Sequence, residues 1–187
     1  MKRGTFPILG LLSVQPMSGY ELKKAIESSL GNFWSESFGQ IYPHLSELKK
    51  NGLVVASDQV PMTGRRKTTY EITDAGIAAL KNWLEEEPID QVMRNELLLK
   101  IFFGTETEQS FITGHLEAAL IAAQAKMAQF DLIEQNFEHV PYDDEHKRYW
   151  YMTLRFGLLR TRATIEWCEE SLKAIRHVAG KEENDRS

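Results

Sequence analysis

Between Ser37 and Asp74 the chain reads SFGQIYPHLSELKKNGLVVASDQVPMTGRRKTTYEITD, and no other stretch narrows the choice of fold as far. Ile41, Leu45 and Leu48 recur at spacings of four and three, which is the inner stripe of an amphipathic helix. Asn51-Gly52 stops that helix, and Leu53 supplies the apolar contact of a glycine cap. Val54, Val55 and Val60 in one run, with Tyr70 and Ile72 in another, predict two strands of a hairpin around Pro61-Met62-Thr63-Gly64-Arg65-Arg66-Lys67. Gly64 permits the turn, and the three adjacent cations have to face solvent. Helix, basic-tipped hairpin and helix in this order form a helix-turn-helix reader followed by a wing.

The outer face of the reader helix is expected to display Gln40, Tyr42, Pro43, His44, Glu47 and Lys50. Ser37 and Gln40 have the spacing of a capping box, which would start the helix early. Pro43 then falls in its interior, where a proline costs up to roughly 3 kcal/mol. Either function holds the proline there, or the helix begins later, near Gly39, and Pro43 lies close to its first turn.

Upstream, Ile8, Leu9, Leu11 and Leu12 predict a short buried helix ended by Gln15-Pro16. Ser18 and Glu21 form a capping box for a second helix with Tyr20, Leu22, Ile26 and Leu30 as its apolar positions, stopped at Gly31-Asn32. The aromatics Phe33, Trp34 and Phe38 are expected to cover the core between the second and third helices. Downstream, Thr73 or Asp74 caps a fourth helix through Leu80, Trp83 and Leu84, which ends in Glu85-Glu86-Glu87 before Pro88.

Everything after Pro88 reads as helix. Residues 95–103 are apolar all round and so are expected to be buried. A long helix over about 107–139 carries the stripe Ile112, Leu116, Leu120, Ala123, Met127, Phe130, Ile133 and Phe137. After a turn at Pro141-Tyr142, a last helix over about 143–179 repeats the pattern through Tyr151, Leu154, Leu158, Thr161, Ile165, Cys168, Leu172 and Ile175. That helix has a second stripe, Met152, Phe156, Leu159, Ala163 and Trp167, which the same partner helix has no room to cover. A homodimer covers it, with one face packed on the chain's own long helix and the other on a second subunit. The expected architecture is therefore mainly α: a winged helix-turn-helix with a two-stranded wing over 1–87, a dimerisation domain of long antiparallel helices over 88–180, and a disordered tail over 181–187.

A net charge of −5 sits oddly with nucleic-acid binding until it is divided along the chain. Residues 1–87 hold ten Lys and Arg against ten Asp and Glu, whereas 88–187 hold twelve against seventeen. The acidic excess belongs to the second half, and the first half clusters its cations at Lys23-Lys24, Lys49-Lys50 and Arg65-Arg66-Lys67. The single cysteine, Cys168, excludes an internal disulfide framework and a multi-cysteine zinc site, which suits a reducing cytoplasmic setting. Its place on a heptad stripe makes it buried filler. Neither a signal peptide nor a membrane span is expected.

The fragments ILGLL, SGYEL, GQIYPHLSELKKNGLV and GRRKTTYEIT followed by AG, together with the helical second half, resemble the PadR family of bacterial transcriptional regulators, the second half resembling its virulence-activator-type extension. The resemblance spans nearly the whole chain and implies a winged-helix homodimer, usually a repressor, whose third helix enters the major groove of an operator. Carried onto this sequence, it puts Gln40, Tyr42, Pro43 and His44 on the reader and Gly64, Arg65, Arg66 and Lys67 on the wing. The family often has a proline between basic residues of the wing, and Arg65-Arg66-Lys67 lacks one. The resemblance also implies a small hydrophobic or aromatic effector near the dimer interface, for which Trp150, Phe156 and Trp167 are the candidates.

Physically, a major groove about 12 Å wide accepts one helix and brings polar groups such as the Gln40 amide and the His44 imidazole to base edges. Ser37 belongs to the same face, and Lys49, Lys50, Arg65, Arg66 and Lys67 are placed to neutralise phosphates. Nothing in the sequence has the order of a nucleophile, base and orienting group or of a phosphate-cradling loop, so no enzyme and no cofactor are expected. His139 and His146 flank Asp143, Asp144 and Glu145, but acidic turns are ordinarily solvated helix starts, and no metal is expected there. The reading is a dimeric DNA-binding regulator released by a small molecule; its rival is a winged-helix protein-interaction module that does not bind DNA.

Overall fold

The computed structural model describes residues 1–31, 33–34, 38–59, 67–89, 94–139 and 142–184. The chain divides into two compact units, Met1–Gln91 and Val92–Ser187, against the boundary expected at Pro88.

In the first unit, α1 (Phe6–Val14) buries Ile8, Leu9 and Leu12 and stops at Gln15. Phe6 stacks on Trp83 with ring centroids 4.4 Å apart and planes 9° from parallel, which ties α1 to α4 (Asp74–Glu85). The Ser18–Glu21 capping box is present: the Ser18 hydroxyl accepts from the Glu21 N–H and the Glu21 carboxylate accepts from the Ser18 N–H at 2.8 Å. It starts α2 (Gly19–Ala25), which continues through a π-helical turn over Ile26–Leu30. Tyr20 departs from its expected place on the apolar stripe. It lies about 200° round the helix from Leu22, so it faces solvent beneath the Lys24 ammonium, 5.3 Å above its ring. Trp34 is half-buried, Phe33 is exposed, and the Phe38 side chain lies outside the described residues.

The reader, α3 (Ile41–Lys50), seats Ile41, Leu45 and Leu48 in the core as the spacing predicts. Full burial of a leucine stabilises by about 2 kcal/mol, and Leu45 and Leu48 are both fully buried. Gly52 ends the helix at φ +69°, a left-handed conformation that disfavours any residue with a Cβ. Strands β2 (Val54–Gln59) and β3 (Lys67–Ile72) pair antiparallel from Val54↔Ile72 to Gln59↔Lys67. A third strand, β1 (Met17–Ser18), pairs with β3 through Met17↔Tyr70 and Ser18↔Thr69, giving the order β1-β3-β2. The start of α2 is thereby fastened to the base of the wing. Thr73 caps α4, accepting from the Gly76 N–H at 3.1 Å, and its hydroxyl donates to the Gly52 carbonyl at 2.7 Å. One side chain thus joins the end of the reader to the next helix.

The second unit is a helical hairpin with a short helix before it. Here α6 (Gln109–Asn136) and α7 (Asp144–Asn184) run antiparallel. Ile112 and Leu116 meet Leu172 at one end, and Phe130 meets Leu154 and Leu158 at the other. At about 1.5 Å per residue α7 is roughly 60 Å long, and it continues to Asn184, past the expected stop near Ala179 and through most of the expected tail. Cys168 is buried on the inner stripe as expected. Burial, with Glu169 nearby, pushes its thiol above the usual range.

The short helix α5 (Glu96–Phe102) corrects the expectation that it is buried. None of its residues is buried, and Phe102 is 80% exposed. The second stripe of α7 is likewise bare at Met152, Phe156 and Leu159, all more than half exposed, whereas Trp167, expected on the same stripe, is half-buried against the inner cluster. Both apolar surfaces lack cover among the described residues of the second unit. No helix among the described residues is long and apolar enough to cross a membrane.

Candidate nucleic-acid interface

The reader helix is preceded by a 3-10 turn over Phe38–Gln40, so α3 begins at Ile41. Pro43 is consequently its third residue, within the first turn, where backbone N–H groups have no partner inside the helix. Of the two readings of Pro43, the later start is the one observed, and the proline costs no hydrogen bond. Gln40 stands at the N-cap of α3, where its side chain makes no capping hydrogen bond. The other half of the expected box, Ser37, lies outside the described residues.

At 100° per residue, Tyr42, Ser46 and Lys49 fall along one side of α3, with Pro43 and Lys50 beside them. All five are exposed, and Tyr42 is 63% accessible. Ser46 was missing from the sequence reading, although it follows Tyr42 by one turn and its serine is small enough to let a helix approach a surface. The signal was there in the spacing: Ser46 follows Leu45 and so must leave the inner stripe. Lys49 and Lys50 sit in the last turn, where cations also complement the helix dipole. On α2, Lys23 and Lys24 add exposed cations in the last turn, Lys23 within 3.8 Å of Glu27.

His44 is a correction. Expected on the outer face, it is 5% exposed and packed within the unit. Its position lies roughly 60° from Ile41 and so on the inner stripe; the polar residue type had misdirected the assignment. A buried imidazole that loses its surroundings leaves polar groups unsatisfied, at about 1–3 kcal/mol. His44→Ala is therefore expected to lower the melting temperature and leave base preference unchanged. Thermal melts and binding to a set of single-base operator variants check both.

Of the wing, Lys67 opens β3 opposite Gln59, and its side chain lies outside the described residues. Gly64, Arg65 and Arg66 also lie outside them. What the structure does fix is the pair of strands on either side of residues 60–66.

The three effector candidates are not brought together within a protomer. Trp150 packs edge-on against Tyr142 at 4.7 Å, closing the α6–α7 turn. Phe156 is 60% exposed on the bare stripe, and Trp167 packs against the Ile112–Leu116–Leu172 cluster. From Trp150 to Trp167 the helix advances roughly 25 Å. A polar cleft of about 450 Å³ near the turn is lined by Glu134, Phe137, Glu138, Asp144, Lys147, Arg148 and Tyr151. Its Glu134 accepts from the Tyr151 hydroxyl at 3.0 Å and lies 4.0 Å from Arg155. Asp143 caps α7 through the His146 N–H at 2.9 Å and meets the His146 ring at 2.7 Å, which holds its carboxyl below the usual range. Among the described residues no group of three His, Cys, Asp or Glu side chains is arranged to hold a metal.

The family model of the PadR-like transcriptional regulators matches residues 8–82, from within α1 to within α4, and the virulence activator alpha C-terminal model matches 93–176. The chain belongs to the PadR family. The Bacillus subtilis relative named "Negative transcriptional regulator PadR" is 28% identical over 177 residues, spanning 91% of this chain and 96% of the relative. The crystal structure of Bacillus subtilis PadR in complex with operator DNA superposes with a TM-score of 0.82 at 26% identity, covering 93% of this chain and 99% of that one. Its complex with p-coumaric acid gives 0.75 at 26% identity, with 92% and 98% covered. A PadR-family winged helix accounts for a polar reader face over a leucine core, and the family's function, transcriptional regulation, is that of this chain.

Proposed function

We propose that the protein is a homodimeric repressor that grips an operator with two copies of α3 and the wing and leaves it when a small aromatic molecule binds. The observation that carries the reading is the exposed face of α3, with Tyr42, Pro43, Ser46, Lys49 and Lys50 turned outward over a leucine core. Gln40 and Ser46 face base edges, and Lys49, Lys50, Arg65, Arg66 and Lys67 neutralise phosphates. Dimerisation is supported by the bare apolar surfaces of α5 and α7, because soluble monomers avoid exposed patches of that size. Repression is supported by the name of the Bacillus subtilis relative, a negative transcriptional regulator, and a small aromatic effector by that protein's complex with p-coumaric acid.

The test is a mobility shift on a duplex from upstream of the protein's own gene, repeated across salt concentrations. The logarithm of affinity should fall with the logarithm of salt by about 0.9 for each phosphate neutralised. Replacing Arg65 and Arg66 by alanine removes up to four contacts from a dimer, so the slope should become shallower by about three to four. Added p-coumaric acid, or a related phenolic acid, should release the duplex. Absence of binding at low salt, or a slope untouched by the arginine changes, contradicts the reading.

A further inference from the structure

Gly19 is the first residue of α2, directly after the Ser18 cap, and it is buried. Glycine loses more conformational freedom on folding than any other residue, so its presence in an ordered first turn calls for a reason. Conformation does not provide one, since Gly52 is the described glycine with positive φ. Space does. A Cβ on Gly19 would stand 2.7 Å from Cε1 of Tyr42, 3.1 Å from Cζ and 3.2 Å from the phenolic oxygen. The reader's most exposed aromatic thus lies with its outer edge over a residue that has no side chain. The obstacle a Cβ would meet is the far end of a movable ring, so adding the Cβ displaces the ring rather than the backbone.

We infer that Gly19 is a positioning residue for DNA binding: its bare backbone is the seat that holds the Tyr42 phenol between the first turns of α2 and α3, where it donates to an operator phosphate. In a helix-turn-helix the second helix enters the groove while the first crosses the sugar–phosphate backbone. A ring laid from one onto the other ends at the groove's edge, where phosphates run. Contacts of that kind set register and orientation and carry no base preference. The inference rests on the DNA-binding reading and adds a residue outside the reader helix to its machinery.

A double-mutant cycle of Gly19→Ala and Tyr42→Ala in the full-length protein tests it, with the upstream duplex and an unrelated duplex as probes. Gly19→Ala is expected to weaken both probes alike by about a hundredfold, the value of one hydrogen bond to a charged group in each half of the dimer, while melting at or above the wild-type temperature. The double variant should bind no worse than Tyr42→Ala alone. Wild-type affinity in Gly19→Ala, or losses that add, overturns the inference. If Gly19→Ala melts early, Tyr42→Ala must restore its stability by removing the ring; failure to restore it overturns the inference too. A readout without DNA keeps this separate from the regulator reading. NOE cross-peaks should join the Gly19 α-protons to the Tyr42 ring protons in the wild-type NMR spectrum. Their absence removes the seat, whereas failure of the wild type to bind any duplex removes the regulator reading.

Discussion

Placing aspartate at both Phe156 and Leu159 is expected to split the protein into monomers and weaken operator binding by roughly 10²- to 10⁴-fold, the usual gain from joining two binding modules. Both side chains are more than half exposed in the protomer, so the substitutions remove nothing from its own core. Inner-stripe residues on the same helix, Leu154, Leu158 and Leu172, are buried against α6 and remain in place. The carboxylates would instead enter the surface that covers α7 from outside, where an unpaired charge in an apolar contact is strongly disfavoured. Sedimentation velocity reads the oligomer, circular dichroism the protomer's fold, and a mobility shift the affinity. A variant that stays dimeric with unchanged affinity would show that the second subunit sits elsewhere.

The largest expected loss of stability comes from a single methyl group. Gly76 is buried in the first turn of α4, and a Cβ there would be driven into the backbone carbonyl oxygen of Leu53 and would stand 2.7 Å from Cγ1 of Ile72. A backbone oxygen has no rotamer to escape to. Leu53 is also held on both sides: its N–H donates to the Leu48 carbonyl at 3.0 Å and its own carbonyl accepts from Thr73 N–H at 3.0 Å. Gly76→Ala therefore has to push α4 away from the end of the reader. Overpacking of this kind costs about 1–3 kcal/mol, a melting shift on the order of 10 °C for a unit of this size. The helix propensity of alanine works in the other direction by about 1 kcal/mol, so an unchanged melting temperature would mean that the close approach relaxes freely. Differential scanning calorimetry of the full chain gives the answer.

Local signals in the sequence carried most of the fold. The Ser18–Glu21 box, the Gly52 stop, the Thr73 cap and the stripe of Ile41, Leu45 and Leu48 each depend on neighbours within a turn, and each is found where it was expected. The two-residue strand β1 was not legible, because two residues carry no periodicity and its pairing with β3 spans about fifty positions. His44 was misplaced because residue type outweighed helical angle, although the inner stripe already claimed its position. The opposite error occurred at α5, where apolar composition was taken for burial. A chain's own sequence states that Leu99, Phe102 and Phe103 need cover and not which chain provides it. The same limit applies to Trp150, Phe156 and Trp167. Helical spacing assigned them to one helix and gave no means of telling that Trp150 closes a turn, Phe156 faces outward and Trp167 fills the core.

The central claim is that two reader–wing units act on one operator through the bare face of the helical hairpin. Sedimentation velocity of the protein with a fluorescent duplex from upstream of its gene, near and above the dissociation constant, measures this directly. Two chains per duplex, moving as one species whose stability falls steeply with salt, is the expected result. One chain per duplex, or a duplex that sediments unaccompanied at low salt, would contradict it.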